Sequence, residues 1–380
     1  MIIKCGKVFN EKGMFRQGTI LVTEERVSDI CFEEPSDKLL NDETIIDASG
    51  LYVIPGFVDI HFHGCMGYDF CDGTEEAFDA ITKYQAENGV TTISPATMTL
   101  SRQELASIFS AVGKYKNENG STIRGITMEG PFVSLAKKGA QNGDFIHKPD
   151  VEFYREMQNL CGNLIKQVAV APEEDDDFAF IKEVSAETVI SVAHTMADYN
   201  TAAKAFALGA NHVTHLFNAM PPFAHRDPSV VGAAFDNDGV YVELICDGIH
   251  IHPGMVRAMF ALFGAERICM ISDSMMATGM SDGKYSLGGQ AVSVVGKKAT
   301  LADGTIAGSA SNLYDCFKVA VQEMHIPLEQ AVMASTITPA RSLGLDIECG
   351  SITIGKKADF VLLDKDLNIK KIIKDGNVIR

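Results

Sequence analysis

The segment Asp59-Ile60-His61-Phe62-His63-Gly64 carries the first residues in the chain that are suited to chemistry. Two histidines one residue apart on a β-strand point to the same face, because side chains alternate along a strand. If such a strand ends at a cavity, both imidazoles reach one point and bind one divalent metal ion. The structural alternative is a turn in which the two histidines cap or pack, and short motifs often match by chance. The segment needs ligands from other strands to become a metal site.

Other apolar, strand-like segments also end in side chains of the ligand type. Glu129 ends the third such segment, His194 the fifth, His215 the sixth and Asp273 the eighth. Each has an ordinary explanation when taken alone, such as a helix cap or a buried core histidine. All of those explanations would have to hold together at the same end of several strands, so a functional site is favoured.

The chemistry that this set of imidazoles and carboxylates supports is metal-assisted hydrolysis. Imidazole nitrogens with a carboxylate suit Zn²⁺, Fe²⁺ or a similar ion, which lowers the pKa of a bound water molecule. An aspartate that is not fully used as a ligand takes the proton from that water and passes it to the leaving amine. Asp273 is the candidate for this role, because a carboxylate beside a divalent cation stays ionised at neutral pH.

The middle of the chain, residues 55–344, alternates strand and helix signals, which predicts a parallel sheet. Ser101 and Glu104 form a capping box that opens one of the helices. Eight βα units predict an α/β fold, specifically a (β/α)₈ TIM barrel with its active site at the carboxyl ends of the strands. The eight strand candidates are residues 56–63, 91–97, 123–129, 167–173, 188–195, 212–218, 240–250 and 268–274.

The two ends of the chain have a different pattern. Residues 1–54 read as short alternating strands, and the tail has β-like segments at 351–354, 360–363 and 369–378. Neither set is sufficient for a domain by itself. We therefore expect both termini, residues 1–54 and 345–380, to form one small β-sandwich domain, with the barrel inserted as residues 55–344.

Composition limits the class of protein. The 380 residues are 46% hydrophobic and carry 33 basic against 50 acidic side chains, a net charge of −17. This charge argues against nucleic acid or an anionic membrane as a partner. The nine cysteines are odd in number and contain no C-x-x-C pair, which favours a reducing cytoplasm over a disulfide framework. The first residues lack the build of a signal peptide, so we expect a cytoplasmic protein.

Several motifs together resemble the N-acetylglucosamine-6-phosphate deacetylase family of the amidohydrolase superfamily. Each motif is weak alone, but their order and spacing are specific, and the resemblance spans the whole chain. The motifs are His61-Phe62-His63-Gly64, Met128-Glu129-Gly130-Pro131-Phe132, Ala193-His194-Thr195, Thr214-His215-Leu216-Phe217-Asn218-Ala219-Met220-Pro221, Asp247-Gly248-Ile249-His250 and Ser272-Asp273.

The resemblance implies an enzyme that cleaves the amide of an N-acetylated amino-sugar 6-phosphate to acetate and the free amine. It implies Glu129, His194 and His215 as ligands of the main metal ion and Asp273 as the acid and base. His61 and His63 resemble the ligands of a second ion. Some family members lack one of this pair and keep one ion, so one or two ions per subunit remain open here. With two, Glu129 would bridge them and Asp273 would touch the second.

The resemblance also implies residues that hold the sugar phosphate. Asn218 and Ala219 correspond to contacts with the substrate, and Arg226 and His250 to cationic phosphate contacts. A guanidinium group suits phosphate oxygens, although Arg226 has a surface pair with Asp227 as its alternative role. Related enzymes build part of this pocket from a neighbouring subunit, so a homodimer with a shared phosphate site is expected.

One position departs from the family pattern. The segment Lys137-Lys138-Gly139-Ala140-Gln141-Asn142 resembles a stretch in which a histidine contacts the substrate carbonyl, and this chain has Gln141 there. A glutamine amide still donates a hydrogen bond to a developing oxyanion, but it does not become a cation. Either a second metal at His61 and His63 polarises the carbonyl, or the substrate is a galactosamine epimer or another N-acyl sugar.

Two further alternatives stay open at this level. The chain is a different amidohydrolase that acts on a cyclic amide or another N-acyl substrate, or it is a non-catalytic relative kept for binding. The retention of all six ligand-type residues argues against the second alternative.

Overall fold

The computed structural model describes residues 1–32, 44–117 and 119–380. Residues 33–43, part of the predicted small domain, lie outside the described residues. In chain order the strands are β1 (Ile2–Phe9), β2 (Phe15–Thr23), β3 (Arg26–Cys31), β4 (Ile45–Asp47), β5 (Tyr52–Pro55), β6 (Phe57–Asp59), β7 (Gly64–Cys65), β8 (Tyr68–Asp69), β9 (Val90–Ile93), β10 (Thr122–Ile123), β11 (Ile126–Met128), β12 (Ile165–Val170), β13 (Val189–Val192), β14 (His212–Val213), β15 (Tyr241–Ile245), β16 (Ile268–Ile271), β17 (Gly283–Leu287), β18 (Gln290–Val295), β19 (Lys298–Thr300), β20 (Ile306–Ser309), β21 (Phe360–Leu363), β22 (Ile369–Lys374) and β23 (Asn377–Val378).

Ten α-helices lie in the described ranges, and none of them is long and apolar enough to cross a membrane. They are α1 (Glu75–Glu87), α2 (Arg102–Lys114), α3 (Val151–Leu160), α4 (Ala179–Val184), α5 (Tyr199–Ala207), α6 (Ser229–Phe235), α7 (Pro253–Phe263), α8 (Leu313–Gln322), α9 (Leu328–Ser335) and α10 (Ile337–Ser342).

Strands from both ends of the chain share one eight-stranded sheet. Its order is β23-β22-β21-β5-β1-β2-β3, and β4 pairs with the start of β1. Strand β5 lies between the two ends of the chain, parallel to β1 and antiparallel to β21. The buried side chains of Ile20, Val53 and Leu362 belong to one apolar cluster on this sheet. Residues 351–354 form no strand, because the chain turns at Gly350 and Gly355, where φ is 81° and 90°.

Each of the eight segments predicted as strands of the middle region contains a strand. Strands β6, β9 and β10 form a three-stranded parallel sheet, and β11 to β16 form a six-stranded parallel sheet in chain order. Near Glu129, an isolated parallel bridge joins Ala96 to Thr127. On the other side, the N–H of Asp273 donates to the carbonyl of His61 at 3.0 Å. The core is therefore an α/β arrangement of parallel strands.

The helices cover these strands with one apolar face each. Helix α2 buries Leu105, Ile108 and Phe109. It begins at the predicted capping box, where the N–H of Glu104 donates to Ser101 Oγ at 3.3 Å and the N–H of Ser101 donates to Glu104 Oε2 at 3.0 Å. Both donors would otherwise be unpaired at the start of the helix.

The sequence analysis missed a four-stranded antiparallel sheet, β17-β18-β19-β20, that follows the last parallel strand. Leu287, Val292 and Ala307 point into a small apolar cluster that also contains Met98 and Met275. The side chain of Gln290 donates to the carbonyl of Ala140. This sheet therefore packs against the loop that follows Glu129.

Candidate metal centre

Six side chains predicted as metal ligands converge in two groups. Each group has ligand atoms within 4.8 Å of one another, and every member is buried. The first group is Glu129, His194 and His215, and the second is His61, His63 and Asp273.

Three of these ligands lie at turns with unusual backbone geometry. His194, His215 and Asp273 have φ values of 42°, 28° and 48°, in the left-handed region that residues other than glycine seldom adopt. Each follows a parallel strand by one or two residues. Left-handed residues cluster at functional sites, where the surrounding structure holds them.

The two histidines of the opening motif lie just beyond their strand. We predicted them on the strand itself, but β6 ends at Asp59. Their ring centroids are 5.5 Å apart, and the N–H of His63 donates to the carbonyl of Ser274 at 2.7 Å. Hydrogen bonds to the chain after β16 therefore position them.

In the first group, both imidazoles approach the same carboxylate oxygen. Glu129 Oε1 is 3.1 Å from His194 Nε2 and 3.0 Å from His215 Nε2. His194 Nδ1 donates to the carbonyl of Lys137 at 2.9 Å, so in the neutral ring Nε2 carries the lone pair that is available to a metal ion. The backbone after Glu129 turns at Gly130, where φ is 76° and a Cβ would lie 2.0 Å from Thr99 Oγ1. Only glycine allows the chain to leave the ligand in this direction.

Glu129 also contacts the second group. His63 Nε2 is 3.4 Å from Glu129 Oε2 and 3.3 Å from Asp273 Oδ1. His61 Nε2 is 3.5 Å from Glu129 Oε1 and 3.9 Å from Asp273 Oδ1. The carboxylate of Glu129 thus lies between the two sets of imidazoles.

The histidines keep Glu129 ionised. Burial by itself would raise the pKa of Glu129, but His61 and the hydrogen bonds from His194 and His215 hold that pKa well below its ordinary range. An ionised carboxylate accepts from several donors at once and is suited to bridging two cations.

Asp273 is ionised for a similar reason. Burial would raise its pKa, but the hydrogen bond from His63 and the charge of His61 outweigh burial and lower it. The pKa of His63 is raised, because Asp273 and Glu129 overcome the opposite effect of burial. The centre therefore concentrates negative charge around imidazole nitrogens.

The donor set fits a divalent ion. His61 Nε2 is buried and forms no hydrogen bond within the part of the chain that the structure describes. His194 Nε2 and His215 Nε2 lie 3.1 Å apart, a close approach of two nitrogens that a shared cation would explain. Imidazole nitrogens and carboxylate oxygens in this arrangement match the preferences of zinc and similar ions.

Five of the six side chains, all except His61, line a cavity of about 380 Å³. Its wall includes three residues that the resemblance implied for the substrate, Asn218, Ala219 and His250, and also Lys137 and the end of the β17–β20 sheet. Asp247 Oδ2 is 2.8 Å from His250 Nδ1. This contact raises the pKa of His250 although burial lowers it.

Gln141 also lines this cavity, with its amide held on both sides. Its Nε2 donates to Glu129 Oε2 at 2.7 Å, and its Oε1 accepts from the N–H of Thr99 at 2.7 Å. The side chain is buried. The departure from the family histidine therefore places an amide donor directly on the carboxylate between the two groups.

Arg226 is not brought to the cavity by a single chain. It is exposed, its Nη1 lies 2.8 Å from His225 Nε2, and it borders a separate depression with Asp198 and Tyr199. Arg226 therefore does not line the cavity of its own subunit, and its expected phosphate contact stays a prediction.

Two other residues near the centre escaped the sequence analysis. Lys137 is a cation on the cavity wall, with Nζ 3.3 Å from the carbonyl of Met220. Glu243 is fully buried, and its Oε2 lies 3.0 Å from His61 Nδ1. In the sequence, Glu243 could have been noticed as a glutamate within the apolar run of β15.

The sequence profile of the amidohydrolase family matches residues 52–379. The chain belongs to the amidohydrolase family. Within this family it is similar to N-acetylglucosamine-6-phosphate deacetylase of Bacillus subtilis (strain 168), with 34% identity over 384 residues that cover 100% of this chain and 96% of the relative. The enzyme of the same name from Lysinibacillus sphaericus is 36% identical and covers 88% of this chain and 87% of its own length.

A solved structure of this amidohydrolase type is similar over the whole chain. It is a mutant N-acetyl-D-glucosamine-6-phosphate deacetylase from Mycobacterium smegmatis in complex with N-acetyl-D-glucosamine-6-phosphate. The TM-score is 0.92 at 31% identity, and the match covers 100% of this chain and 98% of that one. The family resemblance read from the motifs is thereby confirmed.

Proposed function

We propose that the chain hydrolyses the N-acetyl amide of N-acetylglucosamine-6-phosphate to glucosamine-6-phosphate and acetate, in amino-sugar catabolism. The observation that carries this proposal is the carboxylate of Glu129, placed between two buried groups of histidines on the wall of one cavity. The fold around it matches, over its whole length, a structure solved with this substrate.

In this proposal the two ligand groups hold one or two divalent ions. Glu129, His194 and His215 would bind the first, and His61, His63 and Asp273 the second, with Glu129 as the shared ligand. Zinc or iron suits these donors. When bound, the metal polarises the substrate carbonyl and lowers the pKa of water toward neutrality.

Asp273 then moves the proton. Its carboxylate takes a proton from the attacking water as the water oxygen bonds to the carbonyl carbon. The same proton passes to the amide nitrogen as the carbon–nitrogen bond breaks, so the amine leaves neutral and acetic acid forms, which then releases its proton to water and becomes acetate. The lowered pKa of Asp273 supports this role, because the base is ionised before the reaction begins.

Gln141 is suited to the carbonyl oxygen of the substrate. An amide group has two N–H donors, and one of them is committed to Glu129. The same Nε2 lies 3.8 Å from Met98 Sδ, a weak acceptor that a carbonyl oxygen would replace. Gln141 would thus stabilise the developing oxyanion and orient Glu129 together.

The phosphate end of the substrate would lie near Asn218, Ala219 and His250. Lys137 adds a positive charge on the same wall. Since Arg226 is remote from its own cavity, we propose that it reaches the cavity of a second subunit, in a homodimer with a shared phosphate site.

The scaffold of this proposal is a closed (β/α)₈ barrel of residues 55–344. The Ala96–Thr127 bridge and the Asp273–His61 hydrogen bond support closure between the two parallel sheets. Residues 1–54 and 345–380 would form the small β-sandwich domain around the shared terminal sheet. We also propose a cytoplasmic location, where phosphorylated amino sugars are metabolised.

The test is acetate release from N-acetylglucosamine-6-phosphate beside its galactosamine epimer and the unphosphorylated sugar, with metal content measured on the same sample. The proposal expects turnover of the first substrate, a loss of kcat/KM without the 6-phosphate, and bound divalent metal.

Faster turnover of the galactosamine epimer would reassign the substrate and trace the difference to the Gln141 departure. Turnover of a cyclic amide without any action on either phosphosugar would overturn the proposal in favour of a different amidohydrolase. Purified protein without divalent metal or turnover would favour a binding protein.

A further inference from the structure

We infer that Glu243 is a positioning residue for the metal centre, which fixes the tautomer and direction of His61. This inference rests on the proposed metal centre. Glu243 lies on β15, and its side chain is fully buried. An ionised carboxylate in this environment needs several hydrogen-bond donors, and the neighbouring strands supply them.

Each oxygen of the Glu243 carboxylate faces groups from other strands. Oε2 lies 3.0 Å from His61 Nδ1 and accepts from the N–H of His215 at 3.1 Å. Oε1 accepts from Gln167 Nε2 at 2.7 Å and lies 3.2 Å from His212 Nε2. One carboxylate thus contacts a side chain of one ligand group and the backbone of a residue in the other.

The contact with His61 decides which nitrogen of that ring is free. Nδ1 donates its hydrogen to the carboxylate, so the lone pair is on Nε2. His61 Nε2 is the atom that forms no hydrogen bond within the described ranges and that faces Glu129 and Asp273. A ligating histidine commonly donates its second N–H to a carboxylate, and loss of that partner weakens metal binding about 10- to 100-fold.

Through its contact with the His215 N–H, Glu243 also supports the backbone of a residue in the first ligand group. His215 has a φ of 28°, so its backbone needs support from its neighbours. His212, the first residue of the two-residue strand β14, lies against the other oxygen of Glu243 at 3.2 Å. His212 therefore belongs to the hydrogen-bond network that surrounds Glu243 under the candidate metal centre.

The test replaces Glu243 by methionine, which is of similar size and has no carboxylate. Zinc binding to chelator-stripped protein is followed by titration, with bound metal counted independently. We expect the wild type to bind two ions and Glu243→Met to bind the second about 10- to 100-fold more weakly. Glu243→Gln, whose amide oxygen still accepts from Nδ1–H, should recover much of the loss.

Gln167→Met is the matched control, because it changes the same network without a contact to His61. It should leave both ions bound as in the wild type. In His61→Gln, the added Glu243→Met change should cause no further loss at the second site, since Glu243 acts there through His61.

Where Glu243→Met does not fold, ¹⁵N-histidine NMR of the zinc-loaded wild type gives the answer. The His61 signals, assigned by their loss in His61→Gln, should show a hydrogen on Nδ1 and none on Nε2. The opposite tautomer overturns the inference.

The outcomes separate this inference from the proposed function. Two ions in both the wild type and Glu243→Met, bound equally tightly, overturn the role of Glu243 and leave the deacetylase proposal intact. A wild type that binds a single ion also overturns the role of Glu243 and leaves the deacetylase proposal intact. Wild-type protein that takes up no ion overturns the metal centre and the role of Glu243 together.

Discussion

Asp273 faces the two histidines of its own candidate ligand group through one carboxylate oxygen. Oδ1 lies 3.3 Å from His63 Nε2 and 3.9 Å from His61 Nε2, and in the proposed reaction Oδ2 would carry the proton. The division of roles at Asp273 makes its two functions separable by substitution.

At this scale we predict that Asp273→Asn lowers kcat by about 10² to 10⁴, the usual contribution of general acid–base catalysis. The amide oxygen of asparagine preserves the contact with His63, and Glu129, His194 and His215 are unchanged, so tightly bound metal should remain. Acetate release and metal content are measured on one sample. Asp198→Asn, at the cap of α5 outside the cavity, is the control, and near-normal turnover in Asp273→Asn would exclude it as the base.

The sequence indicates which candidate ligands come together, and it does not indicate the residues that support them. Residues such as Glu129 and His194 are recognisable because they directly follow apolar strands, and parallel strands bring their carboxyl ends together. Glu243 lies within a strand, so its partners depend on which strands are neighbours, and that information is not local. The position of Arg226 depends on a long exposed segment and was likewise beyond local reasoning.

At the scale of elements, a buried hydrogen bond joins the end of β6 to the end of β16. Ser272 Oγ donates to Asp59 Oδ2 at 2.5 Å, and both side chains are fully buried. Burial raises the pKa of Asp59 to about 7, although hydrogen bonds from Ser272 and from the N–H of His61 oppose this effect.

This junction predicts a pH-dependent stability. The pKa of an aspartate in an unfolded chain is about 3.9, so between about pH 4 and pH 7 the folded chain holds more protons at Asp59. Stability therefore falls as the pH rises through this window and levels off above it. Asp59→Asn does not ionise, so its Tm relative to the wild type should rise from pH 5 to pH 8 in metal-free protein. Asp47→Asn, at an exposed site, is the control, and its Tm relative to the wild type should be the same at pH 5 and pH 8. If the Tm difference of Asp59→Asn is also the same at both pH values, the prediction is wrong.

The elements themselves were predictable where the apolar pattern was long. All eight predicted segments contain a parallel strand, and the segment 123–129 contains parts of two, because β-branched and apolar runs of this length are typical of buried strands. The β17–β20 sheet was missed because glycines at 288, 289 and 296 divide it into short pieces. A regular spacing of such glycine turns with alternation between them is a hairpin signal that could have indicated it.

At the scale of the whole molecule, a shared site predicts that two inactive variants, one at Arg226 and one at Asp273, restore activity when they are combined in one dimer. If Arg226 serves a neighbouring cavity, Arg226→Ala and Asp273→Asn are each nearly inactive alone. A hybrid dimer of the two has one cavity with both native residues. Co-expression with different tags and purification of the hybrid should therefore recover about half of the wild-type activity. Recovery close to zero, with a dimer confirmed by its mass, would place Arg226 outside the shared site.

The terminal sheet has a consequence for how the protein is made. Strand β5 directly precedes the first ligand strand, yet one of its edges is covered only by β21, about 300 residues later. During synthesis the ligand-bearing strands emerge first, while the backbone edge of β5 stays open until the last part of the chain leaves the ribosome. An open edge invites pairing with other chains. The yield of soluble protein should therefore depend on how rapidly the final strands are translated, even though they contribute nothing to the metal centre.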